Sequence, residues 1–505
     1  MMKKILQLAL TFWGTLGLVL SVTAAEPRPF FGQFESGGFV WVESPEDIEL
    51  HWNGEPVDVY QPRTLIGLGR DDAGEFELTR RLPDAEAETW TVTIEPRTYR
   101  EQRVEGVPPS TIDPDSEQFA RILRDSERSH AARQSLTENN VGVTMPFAWP
   151  LHGRITGVYG SRRWYNGEPG TPHWGVDIAA PEGTPVRAPA DGLVTLSYDL
   201  FLSGETVFLD HGQRLTSALL HLSERHVEVG DWVRQGEVIG LVGATGRATG
   251  PHVDWRMDLA GQRIDPALWA PPMEDVCSIR GDGDEVVILL HGLGRTALSM
   301  EDMAFALRDE GFSTCNQGYP SRDETIQNLS SYVASAVQKA REEGKTRIHF
   351  VTHSMGGIIL RYYLGHSSHA EDGHVVMLAP PNKGSEIVDV LDDIPGFEEF
   401  MGPAALQLST APDSLPNRLP PIEMPVGVIA GDRSSDPWFA GVFEEDSDGK
   451  VSVESTRMVT MTDHRVMSVG HTFMMHSRDV HHEVIHFLQH GHFTESDMDE
   501  LVEDN

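Results

Sequence analysis

The chain has 505 residues, a length that is typical of about three domains. Its 77 acidic and 40 basic residues give a formal net charge of −37, which disfavours binding to anionic membranes and excludes nucleic-acid binding as the main function. A hydrophobic fraction of 39% provides enough apolar side chains for packed cores, so a globally disordered chain is excluded as well.

Residues 1–25 predict a secretory signal peptide. The segment starts with Lys3 and Lys4, continues with a mostly apolar run over 5–22, and ends on Ala24 and Ala25. We expect cleavage after Ala25 and a periplasmic or secreted protein. The alternative is an uncleaved anchor, which would be the only membrane contact, because no later stretch reaches about 18 apolar residues.

The remaining chain divides by its hydrophobic patterning. Short alternating runs such as 89–94 predict a small antiparallel β domain, and a charged helix around 116–137 forms a connector. A second β-rich region with many glycine turns follows, and then buried strands alternate with helices, which predicts an α/β domain with a mainly parallel sheet. The expected parts are a signal peptide (1–25), a small β domain (26–105), a helical connector (106–143), a β-rich domain (144–270), a linker (271–284), an α/β domain (285–493) and an acidic tail (494–505).

Two pairs of polar residues in the second β region have the spacing of metal ligands. His252 and Asp254 lie two apart on a predicted strand, so both side chains point to the same face with Cα atoms about 7 Å apart. His173 and Asp177 would be about 13 Å apart in a fully extended strand. They can share a metal only if the chain bends between them, and Gly175 could provide the bend.

The same region resembles the lysostaphin/LytM-type zinc endopeptidases, which cut peptide cross-links of peptidoglycan. The similarity covers 147–269, and the matching text lies at 172–181, 183–192, 236–240 and 243–252. The resemblance implies that His173 and Asp177 bind one zinc ion, and that His221 and His252 are the catalytic imidazoles. His211, in Asp210-His211-Gly212, is interpreted as part of a hairpin turn without a function.

The third ligand position departs from the family, because Asp254 stands where the family has histidine. A carboxylate binds zinc at about 2.0–2.2 Å, but a second carboxylate weakens the Lewis acidity of the metal. Three outcomes are open: a working zinc site, a site for another metal, or an empty pocket that serves as a peptidoglycan-binding or regulatory module.

The C-terminal region contains a predicted nucleophile elbow. A buried strand over 347–351 runs into Thr352-His353-Ser354-Met355-Gly356 and then a helix, which is the setting of a serine nucleophile. Thr352 replaces the usual first glycine. The expected oxyanion hole consists of the backbone N–H groups of Met355 and of Leu293, which follows the strand at 286–290.

Chain order places the acid and then the histidine after the serine. Asp448 lies in a loop before a valine-rich segment and is the predicted acid, with Asp446 and Asp432 as weaker candidates. His471 lies one short loop before a predicted helix and is the predicted base, with His476 as the alternative. The stretch 285–492 resembles bacterial lipases and esterases of the α/β-hydrolase fold, which implies hydrolysis of an acyl-ester substrate.

Two further features concern cysteine and histidine. Cys277 and Cys315 either pair in an oxidising compartment or remain buried thiols. His482, His486 and His490 lie four apart on a predicted helix and could chelate a metal, although an exposed helix face without this function is the preferred interpretation.

Together these patterns predict a multidomain protein: a small all-β domain, a β-rich LytM-type peptidase core and an α/β-hydrolase. The expected function is an exported bifunctional hydrolase, a zinc endopeptidase acting on peptidoglycan joined to a serine esterase or lipase. The alternative is a metal-free LytM-like module that binds peptidoglycan or acts as a regulatory domain and targets the esterase to the cell wall.

Overall fold

A computed structural model describes residues 29–495 except 46, 84, 135–136, 138–140, 368–371, 393–396, 398–400, 435–441 and 444. The expected signal peptide and nearly all of the acidic tail lie outside the described residues. Within the described part of the chain, no helix combines the length and the apolar character needed to cross a membrane.

The N-terminal region forms two antiparallel sheets around one apolar cluster. Strands in this region are short, and their shared core includes Leu50, Leu78 and Val92. Buried and more exposed residues alternate along β7, which gives the second sheet one face for this core. The first sheet has the order β1-β2-β5 and the second has the order β4-β3-β6-β7. Their bounds are β1 Phe30–Gln33, β2 Phe39–Glu43, β3 Glu49–Trp52, β4 Glu55–Val57, β5 Arg63–Gly67, β6 Gly74–Arg81 and β7 Glu88–Ile94.

A three-stranded sheet connects the N-terminal region to the middle of the chain. Strand β8 (Glu101–Val104) pairs in parallel with β10 (Arg162–Tyr165), which pairs with β11 (Glu168–Pro172). The connector between them contains helix α1 (Ser116–Arg133) and the short helix α2 (Val141–Thr144). Asp115 and Gln118 form a capping box at the N-terminus of α1.

The middle region contains a ten-stranded sheet in which every described pairing is antiparallel. Its central strands are buried on both faces, and the fully buried Trp255 lies in its core. The pairing of β12 with β19 places Asp177 opposite Asp254. The strands are β9 Arg154–Gly157, β12 Gly175–Ala179, β13 Pro185–Arg187, β14 Gly192–Leu200, β15 Gly204–Asp210, β16 Leu215–Arg225, β17 Trp232–Val233, β18 Val238–Val242, β19 His252–Leu259 and β20 Gln262–Ile264.

The C-terminal region is a seven-stranded sheet with the order β21-β23-β22-β24-β25-β26-β27 and with helices packed against it. All pairings are parallel except that of β21, which confirms the mainly parallel sheet expected from the sequence. The strands are β21 Ile279–Arg280, β22 Glu285–Leu290, β23 Ser313–Gln317, β24 Arg347–His353, β25 Val375–Leu378, β26 Val426–Gly431 and β27 Asp463–Met467. Cys277, just before β21, and Cys315 on β23 form a disulfide.

The described helices of this region lie on both sides of the sheet, because two separate apolar clusters cover its two faces. They are α3 Glu301–Asp309, α4 Ile326–Glu342, α5 Met355–His366, α6 Glu386–Asp392, α7 Pro403–Leu406, α8 Leu415–Arg418 and α9 Arg478–His490. Short 3₁₀ turns occur throughout the chain at Pro109–Thr111, Pro266–Leu268, Met273–Asp275, Ala297–Met300 and Met474–His476.

Polar contacts join the C-terminal region to the rest of the chain. On helix α4, the Gln338 side chain donates to the Trp149 carbonyl, and Glu342 lies 2.6 Å from the His152 Nδ1 atom. A third contact, of 3.3 Å, joins the Arg63 guanidinium to the Tyr362 hydroxyl.

Candidate active sites

The first site lies on the ten-stranded sheet, where His173, Asp177 and Asp254 converge. One ligand atom from each side chain lies within 4.8 Å of the other two. The His173 Nε2 atom is 3.1 Å from the Asp177 Oδ1 atom and 3.9 Å from the Asp254 Oδ1 atom. All three side chains are buried, so the cluster lies inside the sheet rather than on the open surface.

Strand pairing brings these residues together. Asp177 on β12 and Asp254 on β19 are direct antiparallel neighbours, and such pairs have Cβ atoms about 5 Å apart. Gly175 begins β12, and a Cβ atom there would lie 2.2 Å from the Asp254 Oδ1 atom. The sequence suggested a bend at Gly175, and this position also supplies room for Asp254.

Each carboxylate is held from outside by an arginine. Arg163 donates to the Asp177 Oδ2 atom, and Arg256 donates to the Asp254 Oδ2 atom from Nε at 2.9 Å and from NH2 at 2.6 Å. Burial alone would raise the pKa of Asp177, but His173 and Arg163 outweigh it and keep that pKa below its usual value. Burial acts in the same way on Asp254, and Arg256 and His173 lower its pKa.

The inward atoms fit a metal ion. The His173 Nε2, Asp177 Oδ1 and Asp254 Oδ1 atoms are buried and have no hydrogen-bond partner among the described residues. Buried polar atoms are nearly always hydrogen-bonded, so three buried polar atoms that face one another without a hydrogen bond fit a bound cation. One imidazole and two carboxylates are ligands that zinc accepts.

His221 and His252 lie beside this cluster with their rings 4.9 Å apart. The His221 Nδ1 atom is 2.8 Å from the Thr245 carbonyl oxygen, and the His252 Nδ1 atom is 2.8 Å from that of Gly250. Because a carbonyl oxygen only accepts, each Nδ1 donates this hydrogen bond, and Nε2 is the ring nitrogen that remains for the site. Burial, together with the nearby His252, lowers the pKa of His221 to about 4, so this imidazole is neutral at pH 7.

The second site is built around Ser354, at the turn between β24 and α5. Its backbone has φ of 54° and ψ of −126°, a strained conformation for a residue with a side chain. Its neighbours must be small, since a Cβ atom at Gly356 would lie 2.8 Å from the Leu290 carbonyl oxygen. A Cβ atom at Gly292 would lie 3.1 Å from the Ser354 Cβ atom, which places the backbone just before Leu293 against the serine.

Asp448 and His471 form a buried pair. The His471 Nδ1 atom is 2.7 Å from the Asp448 Oδ2 atom, and the other oxygen, Oδ1, accepts 2.9 Å hydrogen bonds from the amides of Lys450 and Val451. The ring of His353 supports the same loop, because its Nε2 atom lies 3.0 Å from the His471 carbonyl oxygen. This arrangement fixes both the acid and the imidazole.

The structure does not bring the alternative residues to this pair. Asp432 and Asp446 are exposed, and the carboxylate against His471 belongs to Asp448. His476 lies at the surface with its Nδ1 atom 2.6 Å from an oxygen of Asp302.

The remaining histidine candidates fall elsewhere. His211 is buried, with Nδ1 2.6 Å from the Asp191 carbonyl oxygen and Nε2 2.8 Å from the Ser217 hydroxyl, which agrees with a structural residue. At the end of α9, ring contacts join His486 to His490 and His492 rather than to His482. Among the described residues, the cluster of His173, Asp177 and Asp254 is the only group of three or more ligands close enough to share an ion.

Comparison with known proteins agrees with this division into two sites. Residues 171–266 match Peptidase family M23, and residues 287–503 match the alpha/beta hydrolase family. The chain joins an M23 peptidase domain to an alpha/beta hydrolase domain. This confirms the two resemblances and the multidomain fold class expected from the sequence.

Curated relatives match about a fifth to a quarter of the chain. The DD-carboxypeptidase/endopeptidase Mpg of Neisseria meningitidis serogroup B is 42% identical over 104 residues, which cover 21% of this chain and 24% of that protein. The peptidoglycan DD-endopeptidase ShyC of Vibrio cholerae is 36% identical over 116 residues, or 23% of this chain and 26% of that protein. The chain thus spans about a quarter of the length of these relatives.

Solved structures resemble parts of the chain. A peptidase M23 from Pseudomonas aeruginosa is 29% identical, with coverage of 47% of this chain and 94% of that chain and a TM-score of 0.37. The mature lipase BlEst2 of Bacillus licheniformis is 20% identical, with coverage of 39% and 89% and a TM-score of 0.32.

Several residues that shape the two sites were not predicted from the sequence. In the M23 domain these are Arg163 and Arg256. In the alpha/beta hydrolase domain, Tyr319 stacks on His291 with ring centroids 4.0 Å apart, and the Ser321 hydroxyl accepts a 2.9 Å hydrogen bond from the Gly294 amide. Arg256 had a signal, since it lies two residues after Asp254 on the same strand face.

Proposed function

We propose that this protein is an exported bifunctional hydrolase. Its M23 domain is a zinc endopeptidase that cuts peptide bonds in peptidoglycan, and its alpha/beta hydrolase domain is a serine esterase of the lipase type. For the peptidase, the observation that carries the proposal is the convergence of three unsatisfied buried ligand atoms, from His173, Asp177 and Asp254. Relatives named as peptidoglycan endopeptidases support the substrate.

In the peptidase reaction, His173, Asp177 and Asp254 would hold the metal. Zinc, when bound, supplies Lewis-acid polarisation of the scissile carbonyl. His221 and His252 present their Nε2 atoms to the site, where one imidazole accepts a proton from the attacking water and returns it to the departing amine. The carbonyls of Thr245 and Gly250 keep the two rings in this tautomer.

The test of the peptidase is metal content and product formation with purified peptidoglycan. We expect one zinc per wild-type chain, loss of that zinc in His173→Ala, and loss of muropeptide products in both His173→Ala and His252→Ala. His226→Ala is the matched control, because His226 lies in the same domain but at the surface. A folded wild-type protein that takes up no zinc and releases no products would instead support a metal-free binding or regulatory module.

In the esterase reaction, the nucleophile is Ser354 and His471 is the general base. The Asp448 carboxylate holds His471 Nδ1–H, so the Nε2 atom is free to take the serine proton. The backbone N–H groups of Leu293 and Met355 supply the oxyanion hole. The strained elbow at Ser354 and the buried acid–imidazole pair are the observations that support this proposal.

Short-chain p-nitrophenyl esters test this half of the proposal. Ser354→Ala should abolish p-nitrophenol release, while Ser278→Ala, an exposed serine in the same region, should leave it unchanged. Full activity in Ser354→Ala would refute the assignment of the nucleophile.

Export is supported by the expected signal peptide and by the Cys277–Cys315 disulfide, since disulfides persist in oxidising compartments. Mass spectrometry of the protein from a periplasmic or culture fraction tests this point. We expect a mature chain that begins at Glu26, and a protein found only with an intact N-terminus in the cytoplasm would contradict export.

A further inference from the structure

The third ligand, Asp254, is tied to an arginine on its own strand. Both Nε and NH2 of Arg256 donate to one oxygen of Asp254, Oδ2, at 2.9 Å and 2.6 Å. Since the two residues are two apart on β19, their side chains lie on the same face of the sheet. Asp254 is 1% exposed, so the contact is made inside the protein.

The other oxygen of Asp254 faces the proposed metal position. Oδ1 has no hydrogen-bond partner among the described residues and lies 3.9 Å from the His173 Nε2 atom. The absence of a side chain at Gly175 keeps the space beside this oxygen open. Arg256 therefore determines which oxygen of Asp254 remains to bind a metal ion.

The charges at the site balance in pairs. Two buried carboxylates, Asp177 and Asp254, lie close together, and each has one guanidinium on its outer oxygen. A buried charge without a partner is strongly destabilising. Without Arg256, and without a metal, the guanidinium of Arg163 would be left to compensate two carboxylates, so one negative charge would lack its guanidinium partner.

We infer that Asp254 and Arg256 act as one unit in the zinc site. The guanidinium compensates the charge that the second carboxylate brings and holds its Oδ2 atom, so that Oδ1 alone faces the metal. Arg256 is thus a positioning residue, and the pair does the work of a neutral ligand. This inference rests on the proposed zinc site.

Zinc affinity of the full chain, measured by competition with a chromophoric chelator, tests the pairing. Asp254→His alone should weaken zinc binding at least tenfold, because it leaves the Arg256 cation beside the metal without its carboxylate. The double variant Asp254→His/Arg256→Gln should recover an affinity within about threefold of wild type. Equal affinities in the single and the double variant would overturn the inference.

Thermal unfolding gives a second readout, with Arg263→Gln as the matched control. Arg263 and Arg256 are each 25% exposed in their side chains, and each pairs with a buried aspartate of β19, but the partner of Arg263 is Asp258, outside the ligand cluster. Both variants should lower the Tm of the metal-free protein. Zinc should restore the Tm of Arg256→Gln to the wild-type value, whereas the Tm of Arg263→Gln should stay below the wild-type value.

Two outcomes separate the zinc site from the role of Arg256. A wild-type protein that binds no zinc would remove the proposed site and this inference with it. A wild-type protein that binds zinc, with equal zinc responses in Arg256→Gln and Arg263→Gln, would overturn the role of Arg256 alone.

Discussion

Asp448 is a buried carboxylate whose hydrogen bonds fix its orientation toward His471. Two backbone amides occupy Oδ1, and His471 occupies Oδ2. The side chain is 3% exposed, so water cannot replace these partners. The acid is therefore fixed in the orientation that selects one tautomer of the imidazole.

Asp448→Asn should lower the kcat for ester hydrolysis on the order of 10⁴-fold. An amide can present its NH2 group to His471, which favours the tautomer that cannot accept the serine proton. Steady-state kinetics on a p-nitrophenyl ester measure the effect. The exposed alternatives Asp446→Asn and Asp432→Asn serve as controls, and a comparable loss in either one would contradict the assignment of the acid.

At this scale the sequence predicted most of the candidate residues and few of their partners. His252 and Asp254 share a strand face by spacing alone, and by the same rule Arg256 could have been included. Arg163 could not have been predicted from the sequence. Its contact with Asp177 depends on the relative placement of two strands that are not neighbours in the sheet order. The sequence favoured Asp448 over Asp446 by its place before a valine-rich segment, and in the structure Asp448 is the buried carboxylate that contacts His471.

At the scale of elements, the C-terminal sheet has a weak edge. The outermost strand, β21, has only two residues and is its one antiparallel member. The Cys277–Cys315 disulfide attaches this edge to β23 and joins positions separated by 38 residues. A two-residue strand contributes few ladder hydrogen bonds, so the covalent link reinforces the edge beside the side-chain hydrogen bonds of Gln317 and Ser313.

Replacing both cysteines by serine should lower the free energy of unfolding by up to about 4 kcal/mol, because the unfolded chain loses a loop constraint. Calorimetry of the Cys277→Ser/Cys315→Ser variant and of reduced wild-type protein measures the loss. The two samples should agree. An unchanged unfolding transition in both would contradict a stabilising disulfide.

Element types were easier to predict than pairings. Alternating and buried hydrophobic runs identified the strand that leads into Ser354 and the mainly parallel sheet, because those patterns are local. The parallel pairing of β8 with β10 joins segments about 60 residues apart in sequence, and no local pattern encodes it. The expected domain boundaries stay a prediction for the same reason.

At the scale of the whole molecule, a chain with a net charge of −37 encloses histidines that burial keeps neutral. Burial lowers the pKa values of His211 and His291 to about 4. In the unfolded chain a histidine titrates near 6.5. As the pH falls below 6.5 the unfolded state gains protons that the folded state does not, so stability is complete above pH 6.5 and declines toward pH 4.

For His211 alone the loss between pH 6.5 and pH 4 should be roughly 3 kcal/mol. The expected result is a fall in Tm between pH 7 and pH 4.5 that is smaller in His211→Asn than in wild type. His482→Asn, at an exposed position, should keep the wild-type pH dependence. Calorimetry at the two pH values checks this, and equal slopes in all three proteins would contradict it.

Strand β8 has a consequence for any attempt to move the peptidase into another protein. On this strand, Gln102 lies opposite Arg163, accepts a 3.1 Å hydrogen bond from its Nε atom, and donates to the Thr156 carbonyl. Arg163 in turn holds Asp177, the proposed metal ligand. A graft that began at residue 144 would leave behind the segment that orients this arginine, so the portable unit starts upstream of residue 101.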